Sequence, residues 1–189
     1  VRSASAGIAG PYRKNTVPTM ELRFNPMKRN RGGEQDLDHI IAASLRGMDR
    51  AMLEYPIKPG LILCLDRDFP FGLNEIIVEK AIAWRDRGIV GIDIAGPESI
   101  NFRPSDYRNL FARARKFGLG ITVHFGEAGP VEEIAPVLAE LQPDQIWPGG
   151  NAADDDSTMA MHLARGGVLE RCHAYNPQPQ VCTARGDVR

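Results

Sequence analysis

The chain has 189 residues, 43% of them hydrophobic, which suits one domain with a sizeable core and excludes a disordered segment. Its 23 basic and 24 acidic residues leave a net charge of -1, so no basic excess is present to neutralise a nucleic-acid backbone. Three cysteines without a CxxC pair argue against a disulfide framework or a zinc ribbon, and no uninterrupted apolar run would span a bilayer.

The expectation is therefore a cytoplasmic protein with neither nucleic acid nor membrane as partner. Residues 1–15 lack the apolar centre of a signal peptide and read as irregular, as does the tail from 177 to 189. One domain over 1–189 accounts for the rest.

Six short β-rich runs follow in order: "TVPTMELRF" (16–24), "GLILCLD" (60–66), "GIVGIDIA" (88–95), "GLGITVHF" (118–125), "DQIW" (144–147) and "GGVLERC" (166–172). Segments of helical period separate them. Leu37, Ile40, Ile41, Leu45, Met48 and Met52 make one apolar stripe, ended by Pro56. Leu73, Ile76, Ile77, Ala81 and Trp84 make a second. A third helix is expected from Ser105, with its hydroxyl as cap, through Tyr107, Leu110, Phe111 and Ala114 to Gly118. Pro136 predicts a loop to about Ala135 and then a short helix. "DSTMAMHLARGG" supplies a last helix, capped by Asp156 or Ser157 and closed at Gly166.

This alternation is that of parallel α/β architecture, shared by the doubly wound sheet and the (β/α)8 barrel. "GLG" at 118–120 precedes a strand instead of following one, which argues against a dinucleotide fingerprint. Polar residues end several different strands: Glu21 and Arg23, Asp66 and Arg67, Asp93 with Glu98, and His124 with Glu127. A barrel's C-terminal rim has that distribution.

His124 and Glu127 carry the chemistry. An imidazole at a strand end can bind zinc, and a carboxyl in the next turn can donate or accept a proton. On its own, the H-x-x-E spacing is read first as a strand-end histidine followed by a solvated glutamate. His39 and His162 read as solvated or structural. The basic "MKRNRGG", the acidic run Asp154 to Asp156 and the Arg-Gly-Asp of "ARGDVR" are read as solvated or chance features.

The segments "MELRFNP" (20–26), "GIVGIDIAGPE" (88–98), "ITVHFGEAG" (121–129), "LQPDQI…GG…ADDD" (141–156) and "GGVLERCHAYN" (166–176) together resemble the adenosine deaminase family. The resemblance runs from about Thr16 to Asn176. It implies a zinc-dependent (β/α)8 barrel of the amidohydrolase type. The reaction it implies is hydrolytic deamination of adenosine or a related 6-aminopurine to the 6-oxo purine and ammonia. His124 resembles the zinc-binding histidine of the fifth strand, and Glu127 the glutamate that holds a proton against the purine N1. Gly96 is similar to the glycine whose N–H contacts the purine, and Asp93 would orient metal ligands from behind.

The sequence departs from the family pattern in three ways. The H-x-H pair of the family's first strand and the metal-binding aspartate of its eighth are absent, so the six runs are matched to strands two to seven of a partial barrel. Trp147 and Pro148 stand where the family has glycine and the catalytic histidine of Gly-His-Gly. "CHAYN" replaces the family's Cys-Pro segment, with His173 as a substitute ligand to consider. With Val1 at its start, the chain is expected to be a central fragment, inactive alone and self-associating through open barrel edges. The alternatives are a non-catalytic purine-binding or partner subunit, or another chemistry on the same barrel.

Overall fold

The computed structural model describes residues 7–10, 17–29, 36–97, 102–125, 134–148, 160, 164 and 166–169. Each expected run contributes a strand: β1 (Thr19–Phe24), β2 (Lys58–Asp66), β3 (Ile89–Ala95), β4 (Gly120–Phe125), β5 (Gln145–Pro148) and β6 (Val168–Leu169). They form one sheet in the order β1-β2-β3-β4-β5-β6, every pair parallel. A doubly wound sheet would reverse its order partway. An unbroken order gives every crossover the same hand and puts the helices on one face. The fold is a partial (β/α)8 barrel, curled enough for Arg23 on β1 to donate from Nη2 to Gln145 Oε1 on β5 at 3.4 Å.

Alternation along the strands separates the two faces. Leu61, Leu63 and Leu65 of β2, Ile92 and Ile94 of β3, Ile121 and Val123 of β4, and Ile146 of β5 belong to a single apolar core. Burying each such side chain contributes about 1.5–3 kcal/mol. The intervening residues Cys64, Asp93, Thr122, His124, Gln145 and Trp147 turn to the concave face.

Helix α1 (Leu37–Glu54) starts at Asp36, whose carboxylate accepts from the Asp38 N–H at 2.8 Å. Ile41, Leu45, Met48 and Ala51 face the core, whereas Met52 is exposed. Helix α2 (Phe71–Ala83) is rotated from the expected stripe: Leu73 and Ile76 are exposed, while Asn74, Ile77, Val78 and Ala81 are buried. Asn74 sets that rotation. Its Oδ1 accepts from the Asp66 N–H at 2.9 Å, and its Nδ2 donates to the Asp66 carbonyl at 2.8 Å and to the Tyr107 hydroxyl at 2.9 Å.

Helix α3 (Pro104–Lys116) buries Tyr107, Leu110, Phe111 and Ala114 as expected. Its start corrects the reading from sequence, since Arg103 is the N-cap without a side-chain bond and Ser105 lies inside the helix. Pro104 explains this, because a first-turn N–H is unpaired anyway and the ring presets φ. Gly118, at φ 80°, closes the turn after it. In α4 (Ile134–Leu141) Pro136 occupies the first turn for the same reason. Residues 7–10 add a helical turn within the segment expected to be irregular, and Ile8 on it is fully buried in the core. Most of the helix expected over 155–166 lies outside the described residues.

Candidate active site

The concave face carries a polar layer built from five strands. Asp93, fully buried on β3, lies level with Cys64 on β2 and Thr122 on β4. His124 Nδ1 approaches its two carboxylate oxygens at 3.0 and 2.8 Å. A carboxylate at that nitrogen holds the Nδ1–H tautomer and leaves the Nε2 lone pair available. Arg23 Nε lies 3.9 Å from Asp93 Oδ2, and Cys64 Sγ donates to the same oxygen at 3.8 Å. Burial, then the charge of Asp93, pushes the Cys64 thiol far up, so it stays protonated.

Trp147 on β5 lies beside His124, its ring 15° from parallel and 5.2 Å away between centroids. The guanidinium carbon of Arg23 is 5.2 Å from the same indole centroid. Thr122 donates to Gln145 Oε1 at 3.3 Å, so β4 and β5 are also tied by side chains.

A second set of bonds links the strand ends. Arg67, nearly buried after β2, donates from Nη1 to the Gly96 carbonyl at 2.9 Å and from Nη2 to the His124 carbonyl. Its guanidinium also lies over the Phe102 ring, 5.2 Å from the centroid. Lys28 forms an ion pair with Asp66, which brings the segment after β1 into the belt. A groove of about 710 Å³ flanks this belt, lined by Arg67, Phe69, Phe71, Phe102, Arg103 and Tyr107 among others. Neither His124 nor Asp93 lines it.

Of the residues singled out from sequence, His124, Asp93 and Gly96 are thus brought to one end of the sheet. Glu127, Glu98, His173 and Asp154 to Asp156 lie outside the described residues, and His39 is exposed beside Asp36. Sequence reasoning did not find the packing of Trp147 on His124. The signal was available, because alternation puts positions 145 and 147 on the face of Thr122 and His124.

Zinc requires three or four protein ligands. Among the described residues no group of three His, Cys, Asp or Glu side chains could hold a metal ion. The described residues therefore supply His124 as a ligand but do not by themselves complete a zinc site. Among them, no helix is long and apolar enough to cross a membrane.

Comparison with known proteins gives this geometry a family. The family model for adenosine deaminase matches residues 7–188. The adenosine deaminase of Clostridium kluyveri is 31% identical over 171 residues, covering 90% of this chain and 49% of that protein. An adenine deaminase from Sphingopyxis alaskensis is 29% identical, covering 86% of this chain and 47% of its own length. Among solved structures, a Burkholderia ambifaria amidohydrolase with bound Zn is 26% identical at a TM-score of 0.78, covering 89% of this chain and 46% of that one. The Arabidopsis N6-mAMP deaminase superposes at a TM-score of 0.80 with 21% identity, covering 97% and 56%. The fold is that of the deaminase structures on which the chain superposes. This chain belongs to the adenosine deaminase family, and it spans about half the length of the curated relatives it matches.

Proposed function

We propose that the chain is a central portion of a zinc-dependent enzyme that hydrolyses the 6-amino group of adenosine or a related aminopurine, releasing ammonia and the 6-oxo purine. The observation that carries this reading is His124 at the end of β4 with its Nδ1 held by the buried carboxylate of Asp93. That pairing orients an imidazole toward a ligand on its other nitrogen. Relatives named adenosine deaminase and adenine deaminase support the reaction class. Arabidopsis neighbours complexed with IMP and GMP support a small purine as ligand.

In this reading His124 is a metal ligand, the Gly96 N–H contacts the purine and Glu127 holds the proton that the ring nitrogen takes. Asp93 and Arg67 position these groups, Asp93 through the imidazole and Arg67 through the carbonyls of Gly96 and His124. The described residues supply too few ligands for turnover, and the pyrrolidine ring of a proline at position 148 has no group that can hydrogen-bond a water. A second reading, a non-catalytic purine-binding or partner subunit, draws support from the indole packed on His124.

The test is ammonia release from adenosine, adenine and N6-methylated adenosine monophosphate, with metal analysis after dialysis. The isolated chain is expected to retain well under one equivalent of zinc and to convert none of the three. Turnover abolished by Glu127→Gln would establish a live, rearranged site.

A further inference from the structure

The ring that covers His124 is a bicycle. We infer that Trp147 is an internal plug, filling a slot beside His124 that is sized for a planar bicyclic heterocycle. The slot has aromatic and cationic walls: the imidazole lies 5.2 Å from the indole at an angle of 15°, and the Arg23 guanidinium carbon is 5.2 Å from its centroid. Both walls are fixed, the imidazole by Asp93 and the guanidinium by Gln145. Such surfaces bind flat π-systems without regard to their identity.

The indole is held there by shape and not by polar partners. Its Nε1 is buried with no hydrogen-bond partner, an arrangement that ordinarily costs free energy. A purine has the same fused five- and six-membered rings, and so the same planar outline as the indole. The register supports the assignment, since Trp147 is level with His124 on the neighbouring strand.

The bicycle-sized slot stands on side-chain geometry alone, while purine as its ligand rests on the proposed function. The experiment separates them. Trp147→Gly should open a partly buried recess, walled by the imidazole and the guanidinium, that takes up a matching ring. Indole, adenine and hypoxanthine would be titrated by calorimetry into the unaltered chain and the variant, with circular dichroism as the folding control.

Indole is expected to bind Trp147→Gly at least about tenfold more tightly than the unaltered chain, and adenine or hypoxanthine to follow it. Indole binding without purine binding would uphold the plug and count against the purine reading. A folded variant that binds none of the three would overturn the plug, and so would equal purine binding by the unaltered chain. If Trp147→Gly does not fold, Trp147→Val keeps part of the volume and should still gain indole binding; failure there overturns the inference as well.

Discussion

Asp93 has no contact with water, yet it faces a histidine, an arginine and a thiol. A buried carboxylate is tolerated only with such partners; the thiol and the histidine come from the neighbouring strands β2 and β4, and the arginine reaches across from β1. The same crowding acts at Gly96. Its φ of 104° lies in the left-handed region, and a Cβ there would sit 2.7 Å from Asp66 Oδ1. Asp66 is held by Lys28 and by the Asp68 N–H at 3.0 Å, so it has little freedom to withdraw. Gly96→Ala should therefore cost about 1–3 kcal/mol in backbone strain, read as a lower urea midpoint with unchanged m-value. A stability equal to that of the unaltered chain would show that this turn is not under constraint.

Between elements, one carboxylate joins α1 to α2. Asp38 accepts from Lys80 Nζ at 2.6 Å and from Trp84 Nε1 at 2.7 Å. The Lys80 bond, then the Trp84 bond, holds the Asp38 carboxyl below its ordinary range. A depressed folded value means that the ionised form contributes stability above the unfolded pKa, a contribution lost as pH falls through the folded value. Because the pair is partly exposed, the contribution is modest, about 0.5–1 kcal/mol. Asp38→Asn should thus lower the melting temperature at pH 7 and make progressively less difference below about pH 4. A gap that persists at pH 2 would assign the effect to shape and not to charge.

The strands were legible because buried parallel strands read as short apolar runs, and the polar residues ending them marked the rim. The rotation of α2 was not, since it depends on Asn74 meeting backbone groups of Asp66 and a hydroxyl on α3. His124 was found through its motif. Its partner Asp93 was named, but the contact of Trp147 with Arg23, which joins β5 to the distant β1, has no local signature.

At the scale of the molecule, the order of the strands leaves β1 and β6 each with one strand neighbour among the described residues. A β-strand with one free side carries unpaired N–H and C=O groups, and parallel sheets are ordinarily covered on both faces. Arg23 and Gln145 bridge the concave face, but one bond at 3.4 Å does not replace a ladder. Exposed Leu53, Phe71, Leu73 and Ile76 on α1 and α2 add apolar surface outside. The chain alone is therefore expected to be marginally stable and to self-associate, edge pairing being the cheapest way to satisfy the open groups. Light scattering over a concentration series should give a mass above 20.8 kDa that rises with concentration, together with a broad, concentration-dependent melt. A compact monomer with one sharp, reversible transition would mean that the two edges are closed by the chain itself, and the open-edge account would have to be given up.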